Sequence, residues 1–239
     1  MQDYVVIDLE MTGLNAKTDH ILEVGAVRVR NHQAVDKFGA ILCQNVKIPE
    51  KVTELTGITE AMVQGGMEKE EAMRQFFEFI GEDIIVGQNV IFDYGFLKQW
   101  AVNHKRTLSL NVYDTLKIAR KCLPAEQSKK LEDLCEYFGV SREKAHRALD
   151  DAIETKQIFE KFLALMDEKG ETVESKPLVY KAKKQTPATA HQVRQLKELM
   201  AEYGIADVIS WDNLTRSQAS RLYDEYRSKY INRCVDDSE

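Results

Sequence analysis

The sequence has few of the features that mark membrane, secreted or zinc-stabilised proteins. No hydrophobic run approaches the roughly 18 apolar residues of a membrane-spanning helix. The start, MQDYVVIDLE, lacks the basic stretch and apolar segment of a signal peptide. The four cysteines form no CxxC pair, so we expect free thiols rather than structural zinc or disulfides. These absences favour a cytoplasmic protein that does not enter a membrane.

Positive charge is also in short supply. The chain has 33 lysines and arginines against 39 aspartates and glutamates, which gives a net charge of −6 over 239 residues. This balance argues against a protein that coats nucleic acid with a broadly basic surface, because such binding depends on many phosphate contacts. The net charge is compatible with an enzyme that contacts nucleic acid through bound metal ions and a local basic rim.

The hydrophobic pattern changes along the chain from strand-like to helix-like. Five apolar segments have the length and composition of strands: 4–10, 21–30, 37–43, 83–89 and 110–114. Four segments repeat apolar residues at helical spacing: 68–81, 92–105, 131–140 and 144–169. Strands that first form an antiparallel meander and then alternate with helices indicate an α/β fold with a mixed sheet.

The composition shifts near residue 170. Segment 170–187 is polar and carries two of the four prolines. We interpret it as a linker between a domain over 1–169 and a small helical module over 188–239. Two Thr-x-x-Gln spacings in the module are typical of helix N-termini: Thr189 with Gln192, and Thr215 with Gln218.

Two roles are open for this helical module. It could guide a nucleic-acid strand with the linker lysines and three arginines: Arg216, Arg221 and Arg227. It could instead dock on a polymerase or another replication protein. Its aromatic stripe favours a helical core over a base-stacking surface and consists of Tyr223, Tyr226 and Tyr230.

Two acidic residues lie near the end of the first predicted strand. Side chains two residues apart on a strand point the same way, so Asp8 and Glu10 leave one face of the sheet. Two such carboxylates repel each other unless a cation lies between them, and hard oxygen ligands suit Mg²⁺ or Mn²⁺. The alternative is that the strand ends at Leu9 and that both acids are solvated.

A further acid, Asp93, follows the strand predicted at 83–89 and begins a predicted helix. Its simplest role is that of a helix N-cap, which Asp often fills. Asn89, four residues earlier, is either a turn residue or a phosphate contact.

His146 and Asp151 stand five residues apart in AHRALDDA. On an ideal helix this spacing is about 140° of rotation, so the two side chains cannot share one helical face. They meet only if His146 lies at the entry to the helix and Asp151 lies in its first turns. A histidine so placed is a natural base for water acidified by metal. The alternatives are a surface histidine at a helix start and Asp150 in place of Asp151.

Three motifs, taken in order, resemble those of the DEDDh family of 3′–5′ exonucleases: DLEMTGL, GQNVIFDYGFL and HRALDDA. The segment IPEKVTELTGITEAMV at 48–63 resembles the proofreading group of bacterial DNA polymerase III, its epsilon subunits and exonuclease domains. The resemblance covers about residues 1–168. It implies a ribonuclease H-like fold, a five-stranded mixed sheet flanked by helices. It also implies two Mg²⁺ or Mn²⁺ ions and release of 5′-mononucleotides from a 3′ end.

The resemblance also implies a role for each motif residue. His146 would be the general base, and four carboxylates would hold the metal ions: Asp8, Glu10, Asp93 and Asp151. Five residues would contact the terminal nucleotide or its phosphate: Thr12, Gly13, Leu14, Asn89 and Phe92. The alternative for the residues of the first motif is a turn packed under the sheet.

Two positions depart from the family pattern. Gln88 stands where His is usual, and it cannot carry a positive charge. Met11 stands where many proofreading members have Thr, and DLEMTGL also resembles oligoribonucleases of the same superfamily. We therefore expect a 3′–5′ exonuclease on single-stranded or frayed DNA ends, with any proofreading in trans. The rivals are an exoribonuclease of short RNA and a non-catalytic binding protein on the same fold.

Overall fold

A single mixed sheet forms the centre of the protein. The computed structural model describes residues 3–142, 146–207, 209, 211 and 214–231. In this part of the chain the strands are β1 (Tyr4–Met11), β2 (Ile21–Arg30), β3 (Gln33–Cys43), β4 (Met67–Glu68), β5 (Ile85–Gly87), β6 (Asn111–Asp114) and β7 (Lys176–Pro177). Their order across the sheet is β4-β3-β2-β1-β5-β6-β7. The strands β1, β2 and β3 pair antiparallel, whereas β5 and β6 run parallel to β1.

The predicted α/β fold with a mixed sheet is confirmed, and so is the opening meander. The five predicted strands correspond to β1, β2, β3, β5 and β6. The expected count of five is too low for this structure, because β4 and β7 add one short strand at each edge. Each has two residues, which is too short to show a period of two in the sequence.

Helices cover both faces of the sheet, and two more form the C-terminal module. The described helices are α1 (Glu50–Thr56), α2 (Glu60–Gln64), α3 (Lys69–Ile80), α4 (Ile91–Asn103), α5 (Thr115–Cys122), α6 (Leu131–Phe138), α7 (Ala148–Glu168), α8 (Ala190–Glu202) and α9 (Arg216–Tyr226). A π-helical turn, Arg227–Ile231, continues α9. In the described residues, no helix is both long and apolar enough to cross a membrane.

The alternation of β1 separates two cores. Val5, Ile7 and Leu9 belong to the core that α3 and α4 cover. Tyr4 and Val6 point to the opposite side, where α5, α6 and α7 pack. Because side chains alternate along a strand, Asp8 and Glu10 continue the face of Tyr4 and Val6. The sheet therefore directs both carboxylates toward the side that α7 occupies.

The segment interpreted as a linker, 170–187, lies against the first domain. Within it, β7 pairs antiparallel with β6, and Leu178 and Tyr180 pack on the core beneath α4. Gln185 exchanges hydrogen bonds with Asn103 at the end of α4. The segment thus extends the sheet by one strand.

The C-terminal module has a small apolar core of its own. Both predicted capping boxes are formed, at Thr189 of α8 and Thr215 of α9. Tyr226 is buried in this core, and Tyr223 and Tyr230 pack against it. The aromatic stripe therefore serves packing, as its helical spacing indicated.

Candidate active site

Asp8 and Glu10 lie on β1, on the face that α7 covers. Burial raises the pKa of Asp8 well above its usual range, and the neighbouring carboxylates of Asp93, Glu10 and Asp151 raise it further. Burial also raises the pKa of Glu10 to about 8, with added repulsion from Asp151 and Glu23. In both cases burial is the main cause of the raised pKa, and the nearby negative charge adds to it.

Asp93 ties the second predicted motif to the first. It lies in the first turn of α4, whose N-cap is Val90, so it does not cap the helix. Its Oδ1 instead accepts a hydrogen bond of 2.9 Å from the backbone N–H of Leu9. This contact holds the Asp93 carboxylate beside the strand that carries Asp8 and Glu10. Burial raises the pKa of Asp93 to about 7, although this hydrogen bond opposes the shift.

His146 and Asp151 meet as their spacing requires. His146 precedes the N-cap of α7, Arg147, and Asp151 lies in the first turn of the helix. The backbone N–H of His146 donates to Asp151 Oδ1 at 3.2 Å. His146 has a φ of 60°, in the left-handed region that histidine enters more readily than most residues. Ligand atoms of Glu10, His146 and Asp151 all lie within 4.8 Å of one another.

A glycine in β2 lets α7 approach this closely. Gly25 is the partner of Asp8 across the β1–β2 pair. A Cβ placed on Gly25 would lie 2.3 Å from the carbonyl oxygen of Ala148, the first residue of α7. Any side chain there would push the start of α7 away, and with it Asp151 and His146.

Glu23 is a buried acid that the sequence reasoning missed. It is the partner of Glu10 across the β1–β2 pair and is 5% exposed. Its two carboxylate oxygens share the single Nε–H of Arg147, and the carboxylate also accepts from Arg147 Nη2 and from the backbone N–H of Ala148. Glu23 thereby anchors the segment that carries His146. Its position in an apolar strand was the available signal, but the strand register that brings it to Glu10 cannot be derived from spacing.

Arg142 supplies positive charge beside the predicted ligands. Its Nη2 donates to Asp151 Oδ1 at 3.0 Å, and its Nε lies 2.8 Å from Glu154 Oε2. Burial raises the pKa of Asp151, and Arg142 opposes that rise. Arg142 lay outside every motif that the sequence analysis used.

The predicted contacts to the terminal nucleotide fall into two groups. Thr12 is buried, and its hydroxyl accepts a hydrogen bond from the backbone N–H of His20. Gly13 packs on Asp19, where a Cβ would lie 2.5 Å from the carboxylate. Both therefore belong to a closed turn. Leu14, in contrast, is 67% exposed.

At the second motif, Phe92 is 36% exposed and Asn89 has a φ of 55°. The backbone N–H of Asn89 donates to Asp114, so Asn89 shapes the turn before α4. Gln88 donates to the carbonyl of Lys129 at 2.7 Å and accepts from the hydroxyl of Thr115. The side chain of Gln88 is therefore engaged in structural hydrogen bonds.

The chemistry of this site fits divalent cations. Four carboxylates surround it; burial raises the pKa of each, and repulsion from other members of the set raises the pKa of Asp8 and Glu10 further. Hard, oxygen-binding cations such as Mg²⁺ and Mn²⁺ relieve this repulsion and prefer such donors. The residues that could hold them are Asp8, Glu10, Asp93 and Asp151.

Comparison with known proteins defines the class of this domain. The exonuclease (RNase T) family model matches residues 5–159, and the chain belongs to that family. The DNA polymerase III PolC-type protein of Clostridium perfringens is 40% identical over 156 residues, which are 65% of this chain and 11% of that protein. The DNA polymerase III subunit epsilon of Aquifex aeolicus is 37% identical over 161 residues, which are 67% of this chain and 80% of that protein. The chain thus spans about a tenth of its PolC-type relative.

Solved structures share the fold at low sequence identity. A full-length 3′-exonuclease superimposes with a TM-score of 0.60 at 15% identity, covering 75% of this chain and 64% of that one. Exonuclease X in complex with 5′-overhanging duplex DNA gives a TM-score of 0.55 at 22% identity, covering 71% of this chain and 94% of that one. The ribonuclease H-like exonuclease fold expected from the motifs is confirmed.

Proposed function

We propose that the protein is a metal-dependent 3′–5′ exonuclease of the DEDDh type that removes 5′-mononucleotides from DNA 3′ ends. The observation that carries this proposal is the convergence of Glu10, His146 and Asp151, with ligand atoms within 4.8 Å of one another, beside the buried Asp93. Three distant parts of the chain contribute to it. A purely structural site would gain nothing from concentrating this many acids.

Each residue has a distinct task in this reaction. Two divalent cations held by Asp8, Glu10, Asp93 and Asp151 would polarise the scissile phosphate and acidify the attacking water. His146 accepts the proton from that water, and the 3′ oxygen of the next nucleotide leaves. Glu23 and Arg147 fix the backbone beside His146. The exposed side chain of Leu14 contacts the terminal base.

DNA is the proposed substrate, and short RNA is the rival. One named relative is a PolC-type DNA polymerase III, the other is a subunit of DNA polymerase III, and the structure of Exonuclease X contains 5′-overhanging duplex DNA. Met11, the residue shared with oligoribonucleases, packs against the core on the α3 and α4 side, away from the face of Asp8 and Glu10. Its identity therefore reflects packing and does not favour RNA.

A polymerase is the proposed partner. The epsilon subunit relative covers the same domain, and its name assigns it to DNA polymerase III. Proofreading of such a polymerase in trans is one setting for the activity, and stand-alone repair is the other. Copurification of the full chain with and without residues 188–239 tests whether the module makes this contact.

The test of activity uses a pair of neighbouring acids. Asp150 and Asp151 both lie in the first turn of α7. Of the two, only Asp151 belongs to the group of possible metal ligands with Glu10 and His146. We expect wild type and Asp150→Ala to shorten 5′-labelled DNA in single-nucleotide steps with Mg²⁺ or Mn²⁺. Asp151→Ala should lose the activity by at least about 100-fold. Equal activity in Asp151→Ala, or activity in excess chelator, would contradict the mechanism. RNA oligomers of matched length decide the sugar preference.

A further inference from the structure

The turn that follows β1 closes on one carboxylate. Thr12 and His20 exchange two hydrogen bonds of 2.9 Å, which join the two ends of the turn. Between them, Asp19 Oδ2 accepts the backbone N–H of Asn15 at 2.9 Å. Gly13 packs directly on the same carboxylate. The position of Gly13 and Leu14 therefore depends on where Asp19 is held.

Helix α9 of the C-terminal module contacts this turn through two polar side chains. Arg221 Nη1 donates to Asp19 Oδ1 at 2.5 Å and to the hydroxyl of Thr18 at 3.0 Å. Gln218 Nε2 lies 3.4 Å from the carbonyl of Thr18 and 3.0 Å from His20 Nε2. Residues 218 and 221 are three apart, so one helical face makes all these contacts.

Charge makes the Arg221 contact the important one. The side chain of Asp19 is 9% exposed and that of Arg221 is 50% exposed. Among the described residues, Arg221 is the only cation in an ion pair with Asp19. A buried carboxylate without its cation is costly, so loss of Arg221 favours movement of Asp19 toward water. Such movement would release the hydrogen bond that holds Asn15.

We propose that Arg221 is a positioning residue: through Asp19 it fixes the turn of Gly13 and Leu14 that receives the terminal nucleotide. This inference rests on the proposed exonuclease function. It assigns the module an intramolecular role, the bracing of the active-site entrance. Because the guanidinium of Arg221 is paired with Asp19, we do not expect it to guide a nucleic-acid strand together with Arg216 and Arg227.

Substrate length separates bracing from strand guiding. A brace acts on the terminal nucleotide, so Arg221→Ala in the full chain should raise KM equally for a deoxydinucleotide and for a long single strand. We expect a rise of about fivefold, in the range that a partly exposed ion pair supports, with kcat nearly unchanged. Arg221→Lys, which keeps the cation, should recover most of this loss. Arg194→Ala is the matched control, because among the residues that the structure describes Arg194 pairs only within the module, with Glu198 at 3.9 Å and His191 at 3.3 Å.

Hydrogen exchange gives a readout that does not depend on activity. The amide of Asn15 should exchange faster in Arg221→Ala than in wild type, while amides of α8 keep their protection. A KM increase confined to the long strand, or unchanged KM for both substrates, would overturn the brace. Absence of metal-dependent cleavage by wild type would instead refute the proposed function, and that outcome is visible before any variant is made.

Discussion

Arg142 and Asp151 are joined by a hydrogen bond of 3.0 Å, so a guanidinium directly contacts one of the proposed metal ligands. The same guanidinium pairs with Glu154, which is 3% exposed. Arg142 therefore pairs with two acids, Asp151 in the proposed catalytic centre and Glu154 in the core behind it.

We expect Arg142→Gln to unfold more easily, because Arg142 is the only cation paired with the buried Glu154 in the described part of the chain. Breaking a buried pair costs about 3–5 kcal/mol, and the partial exposure of Arg142 places this case at the lower end. The double variant Arg142→Gln/Glu154→Gln should recover most of the lost stability. Urea unfolding of the three proteins measures both effects, and equal stability of the single and double variants would contradict the pairing.

Asp8→Asn should stabilise the metal-free protein while abolishing cleavage. The substitution removes an acid that burial and the neighbouring carboxylates make costly to ionise, so this cost is absent from the folded state of the variant. In excess chelator we expect Tm to rise by about 2–4 °C, the change that 1 kcal/mol produces in a domain of this size. Added Mg²⁺ should raise Tm of wild type more than that of Asp8→Asn. A lower Tm in chelator, or an equal response to Mg²⁺, would argue against a repulsive metal centre.

The metal-free protein should lose stability from this site as pH rises. The pKa of Glu10 is about 8 and that of Asp93 about 7 in the folded state, because burial disfavours their charged forms. The unfolded chain releases these protons near pH 4, so the folded state binds more protons over pH 4–8. The contribution of these two acids to the free energy of unfolding is therefore greatest below about pH 4. It decreases as the pH rises through 7 and 8.

His20 acts in the opposite direction, since burial lowers its pKa to about 4 and protonation then favours the unfolded chain between about pH 6.5 and 4. The comparison is therefore made between wild type and Glu10→Gln. The difference in unfolding free energy between pH 5 and pH 8, measured in chelator, should be smaller in Glu10→Gln. Identical pH profiles would refute the assignment to Glu10.

Gly25→Ala should strongly reduce cleavage, because it displaces α7, the helix that carries Asp151. The added methyl meets the backbone of Ala148 at 2.2–2.3 Å, so α7 must shift. Misplacement of catalytic groups by about 1 Å can cost about 100-fold in rate. Gly39→Ala is the matched control: Gly39 pairs with Gly25 across the sheet, but its nearest neighbour, at 3.3 Å, is the side chain of Leu149. Cleavage assays on both variants should show a large loss in the first alone.

Much of the fold could be read from the sequence because its principal strands are long apolar runs. Tertiary contacts decide the rest. The two-residue strands β4 and β7 form through backbone pairing with β3 and β6, the strands next to them in the sheet. Glu23 looked like any acid of a half-buried strand, and its pairing with Glu10 follows from a register that depends on the whole meander. Gly25 is informative only once α7 is known to lie upon it.

The strand β7 has a practical consequence for the limits of the catalytic unit. Cutting the chain at 169, where the composition changes, would strip β6 of its outer partner and leave an open strand edge available to other chains. It would also remove Tyr180, whose ring rests on Gly95 of α4, two residues beyond Asp93. We therefore expect an autonomous nuclease fragment to end near 187, and a shorter one to aggregate and to hold its second motif loosely.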